Sequence, residues 1–371
     1  MNKNITILTF HFNQNYGAVM QAYALQHFLK ANGYTVSFPA YIPPYMRPSS
    51  ALLRGIKSNG KISLPLVWQK IKSIPRRVKF HQFRKKHLTI NFAANDLESA
   101  LDQQKKSTAV IAGSDQVWNL NWYPGDSFDG YYFMEQLSGA SVKKISYAAC
   151  FGKKDQPQEK LKRAGSLITQ FDFVFSRNQL TKSIAEAAAK INVPLVVDPT
   201  MLPGVSWPIR NIPNQRGKYV LIYSIDENQT AMAKTIATKL KEKEELKVIQ
   251  VCSENAHLVE ECDQYETSAS PSEWLELIHN AEYMVTDSFH GCVFALKFGR
   301  KLIAYAEDWR SERIQDLLAN VGLERCLFTR DSHIDRLDDG TFFDADRSLI
   351  QEKINAAGKS SADILLPCLE G

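Results

Sequence analysis

Short apolar runs that alternate with helical patterns constrain the fold of this 371-residue chain more than any other feature. The first run, residues 5–10, leads into a polar loop and a helical pattern that closes at Gly33. Further runs of this kind lie at residues 34–37, 109–112, 145–149, 171–175, 195–197, 219–223, 247–252, 283–286 and 302–305. Strands that are apolar throughout are buried on both faces, so the pattern predicts an α/β fold of parallel sheets covered by helices.

A Pro- and Gly-bearing segment, DPTMLPGVSWP at residues 198–208, is the predicted linker between two domains. We expect an N-terminal Rossmann-like domain at residues 1–205, with a basic insertion at about 45–95. A C-terminal Rossmann-like domain with a C-terminal tail would occupy residues 206–371. Two doubly wound domains in succession suggest a cleft, with ligands at the carboxyl ends of the strands.

The composition is that of an ordinary globular protein, with 44% apolar and 23% charged residues. No apolar run reaches the roughly 18 residues of a membrane span, and the start, MNKNITILTFHF, lacks the features of a signal peptide. We therefore expect a cytoplasmic protein. Its six cysteines are scattered without a C-x-x-C pair, which disfavours a zinc site and a disulfide framework. We expect no metal and no cofactor.

The positive charge is concentrated at the start of the chain, where the first acidic residue is Asp96 and 14 Lys and Arg precede it. Eleven of these cations lie between Arg54 and Lys86, interleaved with Leu, Val, Ile and Trp. Such a segment suits an anionic surface, either lipid headgroups or a diphosphate-linked substrate. The alternative is a basic helical hairpin that is simply solvated. No nucleic-acid motif accompanies the charge, so nucleic acid is not an expected partner.

The first polar motif, Asn13-Gln14-Asn15-Tyr16-Gly17-Ala18, lies between the first predicted strand and helix. Gly17 permits close approach of the backbone, and free N–H groups at a helix start attract anions. Asn and Tyr side chains can hydrogen-bond a sugar or a phosphate. The alternative is an Asn-rich loop that only caps the helix. The absence of G-x-G-x-x-G and of G-K-[ST] disfavours dinucleotide and P-loop sites.

The second motif, residues 113–119 (GSDQVWN), also follows a predicted strand. Trp118 is a candidate for stacking on a pyranose ring, while Asp115 and Asn119 could bind its hydroxyls. Asp115 is in addition a candidate base toward an acceptor hydroxyl. The alternative is a turn in which Asp115 caps the following segment.

Two further motifs follow strands. Arg177, after FDFVF, has the planar fork that binds a carboxylate or phosphate in two-pronged fashion, with a structural ion pair as the alternative. His290, in TDSFHG, stands at a strand-to-helix turn, where a histidine can transfer protons near neutral pH. Among the other histidines His11 is the nearest rival, because it borders the Asn-rich loop.

The chain resembles the polysaccharide pyruvyl transferase family over roughly residues 5 to 310. The resemblance lies in TFHFNQNYGAVMQAYALQ, VIAGSDQVWN, ISYAACFG, FSRNQLT, VVDPTML and VTDSFHGCVFALKFGRKLIAY, in this order. It implies a fold similar to GT-B glycosyltransferases, with two Rossmann-like domains facing a cleft and the N-terminal one on the acceptor side. It also implies phosphoenolpyruvate as donor and a sugar acceptor in a capsule, cell wall or exopolysaccharide. By the same resemblance, Arg177 would hold the donor's anionic groups and His290 would lie near the enolpyruvyl carbon.

One position departs from the family pattern, since members often carry a basic residue two positions before this histidine and the chain has Ser288. Other cations would then have to help Ser288 bind the donor. The candidates are Arg300, Lys301, Arg310 and Arg313.

The resulting hypothesis is a pyruvate ketal formed on a sugar, with His290 as acid and Asp115 as base. The donor would be held by Arg177, Ser288, Arg300, Arg310 and the loop residues Asn15, Tyr16 and Gly17. The acceptor, a lipid-linked oligosaccharide at an anionic membrane, would meet Asn13, Trp118 and Asn119. The alternatives are a nucleotide-sugar glycosyltransferase of GT-B fold and a non-catalytic glycan-binding protein, since fold does not fix function.

Overall fold

The structure is a computed structural model. It describes residues 3–47, 57–58, 61–62, 64–123, 125, 128–210, 214–226, 230–253, 258–306, 310–329, 332–339 and 342–370. At residues 57–58, 61–62, 64–72 and 310 it describes the backbone alone. The chain divides into two compact units. The first comprises Met1–Gln14, Ala18–Val205 and Ala357–Gly371, and the second comprises Asn15–Gly17 and Ser206–Ala356.

The first unit contains a six-stranded parallel sheet in the order β5-β2-β1-β6-β7-β8. Its strands are β1 (Asn4–Leu8), β2 (Thr35–Pro39), β5 (Ile90–Asn91), β6 (Ala109–Ala112), β7 (Lys143–Ala149) and β8 (Phe173–Ser176). Its helices are α1 (Tyr16–Ala31), α2 (Leu64–His87), α3 (Leu97–Lys105), α4 (Gln158–Ile168) and α5 (Gln179–Ala189). A short antiparallel pair, β3 (Lys57–Ser58) and β4 (Lys61–Ile62), stands apart from the sheet.

The second unit repeats this design with a six-stranded parallel sheet in the order β11-β10-β9-β12-β13-β14. Its strands are β9 (Tyr219–Tyr223), β10 (Lys247–Val251), β11 (Gln264–Glu266), β12 (Tyr283–Thr286), β13 (Lys301–Tyr305) and β14 (Leu327–Phe328). Its helices are α6 (Thr230–Glu244), α7 (Pro271–Asn280), α8 (Phe289–Lys297), α9 (Arg310–Val321) and α10 (Arg347–Leu369), which continues into the first unit.

The predicted alternation of strands and helices is confirmed in both units. The central strands β9 and β12 are buried at every position, as the apolar runs indicated. The cap of α7 is Ser270, whose hydroxyl accepts from Glu273 N while Ser270 N donates to the Glu273 carboxylate, and Pro271 is the first residue of the helix. One predicted strand is wrong, since residues 195–197 form only an isolated bridge from Leu195 to Ser176.

The end of the chain departs from the predicted domain division, because the last 15 residues belong to the first unit. Val197 N donates to Ser361 Oγ at 2.9 Å, and Lys143 Nζ donates to the Cys368 carbonyl at 2.8 Å. The predicted linker at 198–208 begins with residues that are part of the folded first unit. Asp198 caps a 3-10 turn, Pro199–Met201, and all four of these residues are buried.

The part of the basic segment that follows residue 63 lies in α2, and some of its cations stabilise the fold. Arg76 is buried and donates to the Gln14 carbonyl at 2.8 Å, and Arg84 donates to the Asn13 carbonyl at 3.2 Å. Two apolar side chains one turn apart, Ile74 and Val78, are instead 52% and 47% exposed. The other apolar residues of this segment, Leu64, Leu66, Val67, Trp68 and Ile71, lie outside the described side chains. Within the described residues no helix is both long and apolar enough to span a membrane.

Candidate active site

The carboxyl edge of the second sheet carries the His290 motif, directly after β12. Ser288 caps α8 by accepting from Gly291 N at 3.3 Å, so the helix starts with its N–H groups at the sheet edge. Thr286 Oγ1 accepts from Ser288 N at 3.0 Å and donates to the Tyr223 carbonyl. These bonds fix the turn that holds His290, whose residue surface is 8% exposed.

The carboxylate of Asp287 fixes the neighbouring loop after β9. It accepts from Ile225 N and Asp226 N, each at 2.8 Å, and from Ser224 Oγ at 3.3 Å. Asp287 is buried, and backbone amides satisfy its oxygens. Its role in the structure is therefore to hold two adjacent loops together beside His290.

Gly17 packs directly against His290 within the second unit. A Cβ atom added to Gly17 would lie 2.1 Å from Nδ1 and 2.5 Å from Cγ of the imidazole. Only glycine permits this approach. The predicted close approach at Gly17 is therefore present, but its partner is the candidate acid rather than the donor.

Tyr16 is a structural residue, which corrects its predicted contact with the donor. It is fully buried, donates its hydroxyl to the Ala269 carbonyl at 2.8 Å and stacks on Trp274 with ring centroids 5.1 Å apart. Asn13 and Asn15 are exposed, and Asn13 Oδ1 accepts from Gln14 N. Ser288 is likewise occupied as the cap of α8, so its side chain is not a ready donor ligand.

The carboxyl edge of the first sheet brings Arg177, Ser114 and Asp198 together. Arg177 Nη1 lies 2.9 Å from Asp198 Oδ2, and the two side chains are 2% and 0% exposed. Ser114 Oγ donates to the same carboxylate oxygen at 2.7 Å, and Thr200 donates its N–H and hydroxyl to Oδ1. The structure thus supports the ion-pair interpretation of Arg177 over direct donor binding.

The surroundings of Arg177 favour its charged form. Burial by itself lowers the pKa of Arg177, but Cys150, Asp198 and Asp115 raise it, and the pKa lies above its ordinary value. The sequence contains little that predicts the contact of Asp198 with Arg177. The one local signal is that Asp198-Pro199 directly follows the apolar residues 195–197, an arrangement that is typical of a helix cap.

Asp115 lies half-buried at this edge with a strained backbone, at φ 82°. It forms an isolated bridge with Ala149, and Cys150 N donates to its carbonyl at 3.0 Å. Ala148, on the facing strand, also has a positive φ of 59°. Non-glycine residues in this region cost of order 1–3 kcal/mol and tend to cluster at functional sites. The structure therefore keeps Asp115 as a candidate.

Two predicted acceptor ligands are core residues, which corrects both predictions. Trp118 is 0% exposed, donates Nε1 to the Tyr132 carbonyl and stacks on Phe133 with centroids 5.4 Å apart. Asn119 is buried and caps a 3-10 turn through Asn121 N. The sequence placed both after a strand, but it could not show that the loop folds back on the aromatic core.

Two of the predicted donor cations lie at the wrong edge of the sheet. Arg300 and Lys301 stand at the amino end of β13, whereas His290 follows the carboxyl end of the parallel strand β12. Arg313 on α9 follows the carboxyl end of β13 and is buried, and the side chain of Arg310 is not described. Arg313 is thus the better-placed cation of the three described ones.

His11 is excluded as the rival acid by its position in the first unit's core. Its ring lies 5.0 Å from that of Phe38, and Nδ1 is 3.1 Å from the Thr9 carbonyl. Burial lowers the pKa of His11 from 6.5 to about 4. Among the described residues, no group of three or more His, Cys, Asp or Glu side chains is arranged to hold a metal ion.

The fold is of the GT-B type, with two Rossmann-like domains. Two solved structures similar to this chain are a UGT from Arabidopsis thaliana complexed with quercetin (TM-score 0.50, 13% identity) and the spinosyn forosaminyltransferase SpnP (TM-score 0.50, 11% identity), each covering 100% of both chains. The family profile described as polysaccharide pyruvyl transferase matches residues 15–308. The chain belongs to the polysaccharide pyruvyl transferase family. Comparison with curated proteins found no match.

Proposed function

We propose that this protein transfers pyruvate from phosphoenolpyruvate to a sugar of a surface polysaccharide, or of its precursor, as a cyclic ketal. The family match supports transfer of a pyruvyl group to a polysaccharide. The observation that carries the mechanism is His290, which is held at the N-terminus of α8 by the Ser288 cap and by contact with Gly17. A helix N-terminus favours an anion, and a histidine there can deliver a proton to it.

In the proposed reaction His290 protonates the methylene carbon of phosphoenolpyruvate, which becomes a methyl group. The adjacent carbon becomes electrophilic, and one sugar hydroxyl adds to it with loss of its proton. Phosphate then leaves with the electrons of its C–O bond, and a second hydroxyl closes the ketal ring with loss of its own proton. A positioned acid contributes about 10²–10⁴-fold to such a step.

Asp115 is our candidate for accepting a proton from the sugar hydroxyl. Its support is a carboxylate on a strained turn at the carboxyl edge of the first sheet. For the donor's phosphate and carboxylate we propose the N-terminus of α8 together with Arg310 and Arg313, which follow β13 at the same edge as His290. No metal or cofactor enters any of these steps.

For the acceptor we propose a lipid-linked oligosaccharide on the cytoplasmic side of a membrane. The support is α2, whose exposed side chains include Ile74 and Val78, one helical turn apart, and Lys85 and Lys86, about two turns after Val78. Exposed side chains of this kind suit peripheral contact with anionic lipid.

The decisive experiment is phosphate release from phosphoenolpyruvate in the presence of a panel of lipid-linked sugars. We expect release that depends on both substrates, and a loss of at least a hundredfold in His290→Ala. The matched control is His279→Gln, because His279 is exposed at the end of α7 in the same unit. A His290→Ala variant that keeps its rate would remove this residue from the mechanism.

The melting temperature of the purified protein with different ligands distinguishes the alternative functions. Phosphoenolpyruvate should raise the melting temperature, and a ligand at 100 times its Kd adds about 2.7 kcal/mol to the free energy of unfolding. Stabilisation by nucleotide sugars alone would instead indicate a glycosyltransferase. Stabilisation by glycans without turnover of any donor would indicate a binding protein.

A further inference from the structure

A cavity lies at the amino edge of the second sheet, beside the start of β13. Its volume is about 50 Å³. A single water needs roughly 10–15 Å³, so a small organic group fits. Its wall combines three cations with an apolar floor, and the residues that matter here are Arg300, Lys301, Arg347, Leu302, Leu323 and Phe342.

The positive charge of this cavity is only partly balanced. Lys301 Nζ lies 3.1 Å from Glu282 Oε1 and 3.0 Å from the Tyr283 hydroxyl, so its charge has a partner. Arg300 donates only to neutral acceptors, Nε to the Phe298 carbonyl at 2.7 Å and Nη1 to the Ala281 carbonyl at 3.3 Å.

Arg347 is an exposed side chain that makes no ion pair or side-chain hydrogen bond with any residue that the structure describes. Its charge acts on Arg300, because burial and then the proximity of Arg347 lower the pKa of Arg300. Two guanidinium groups thus share one cavity wall, and no described carboxylate lies within ion-pair distance of either. An anion between them would relieve the repulsion and accept hydrogen bonds in two-pronged fashion.

We propose that this cavity binds a small amphiphilic anion, with a carboxylate or phosphate head on Arg300 and Arg347 and a short apolar group on Leu302, Leu323 and Phe342. Leu302, Leu323 and Phe342 are buried residues that line this cavity. An anion without an apolar part would leave this floor unused, so it should bind more weakly.

This site is separate from that of His290. Within the second unit, Arg300 precedes β13, and His290 follows the parallel neighbour β12. Strands of four to five residues at about 3.3 Å per residue set these two ends roughly 13–17 Å apart. The proposal therefore does not depend on the proposed transferase activity, and a binding measurement tests it alone.

The test uses the full-length protein and phenyl phosphate as the probe, with inorganic phosphate and phenol as partial probes. By calorimetry we expect saturable binding of phenyl phosphate that is at least tenfold tighter than that of either partial probe. Arg347→Gln should weaken it at least tenfold, and because Arg347 is exposed this variant should fold normally. Arg216→Gln is the matched control, since Arg216 lies on the same unit in an ion pair with Glu266.

Hydrogen exchange locates the bound probe. Protection at residues 296–302 and 342–351 supports the cavity, whereas protection at 286–292 places the probe beside His290 and overturns the proposal. Equal affinity of Arg347→Gln and wild type, or no saturable binding at all, also overturns it. Equal affinity for inorganic phosphate and phenyl phosphate would show that the apolar residues of the cavity do not contribute to binding.

Discussion

The imidazole of His290 lies so close to Gly17 that a methyl group on Gly17 would stand 2.1 Å from Nδ1. The two residues are 273 positions apart in the sequence, yet both belong to the second unit. A backbone at this distance restricts the ring to few orientations. The orientation of the candidate acid is therefore set by a glycine in a motif that the sequence assigned to the donor.

Gly17→Ala should reduce turnover at least tenfold, because the new methyl group must displace the His290 ring. The loss in free energy of unfolding should be smaller than the rise in activation free energy, because a side chain rather than the backbone has to shift. A double-mutant cycle with His290→Ala is the measurement. In the His290→Ala background the Gly17→Ala change should have no further effect on turnover. Additive losses in the two backgrounds would show that Gly17 acts independently of His290.

The buried pair of Arg177 and Asp198 should matter first for stability. Asp198→Asn keeps the side-chain shape but leaves the guanidinium without its counter-charge, which costs about 3–5 kcal/mol when one partner of a buried pair is removed. Chemical denaturation measures this loss. Asp102→Asn is the control, because Asp102 forms an exposed pair with Lys106 whose loss should cost less than about 1 kcal/mol.

A double variant separates the structural role of Arg177 from a role in donor binding. Arg177→Met with Asp198→Leu replaces the buried pair by apolar side chains, which is often neutral for stability. We expect it to recover at least half of the stability lost in Asp198→Asn and to keep its affinity for phosphoenolpyruvate. A stable double variant that no longer binds phosphoenolpyruvate would show that Arg177 contributes to donor binding.

The sequence predicted the fold well because the central strands are mostly apolar runs, as in β9 and β12. It also placed His290 correctly at a strand-to-helix turn. It failed where the outcome depended on long-range packing. Nothing local shows that Trp118 turns into the aromatic core, or that Asp198 returns to Arg177. The position of Arg300 directly before β13, by contrast, follows from the order of loop and strand in the sequence.

The core histidine His11 should make the protein less stable in mild acid. Its folded pKa is about 4 against an ordinary 6.5. Between these values the unfolded chain binds a proton that the folded protein does not, so stability falls as pH drops from about 6.5 to 4. The full effect of such a shift is about 3 kcal/mol. Urea denaturation at pH 7.5 and 4.5 should show a smaller loss in His11→Gln than in wild type, whereas exposed His81→Gln should behave as wild type.

The exposed face of α2 should bind anionic vesicles through both charge and apolar contact. Each cation near an anionic surface contributes roughly 1 kcal/mol. Lys85→Gln and Lys86→Gln at exposed positions, together with Arg77→Gln at a half-buried one, should therefore lower the partition coefficient roughly a hundredfold. Ile74→Ser with Val78→Ser should lower it further, since these side chains are about half exposed. Arg76 and Arg84 should not be substituted, because they donate hydrogen bonds to the carbonyls of Gln14 and Asn13 and their loss would disturb the fold.

Vesicle co-sedimentation measures this partitioning, with neutral vesicles and rising salt as conditions. Binding should weaken sharply with salt, because attraction is screened over about 8–10 Å at physiological ionic strength. The control variant neutralises three exposed lysines elsewhere on the first unit, Lys105, Lys153 and Lys154, at equal change in net charge. If it lowers binding as much as the α2 triple variant does, the attraction depends on overall charge and not on this face. Equal pelleting with neutral and anionic vesicles would show that charge does not drive the contact.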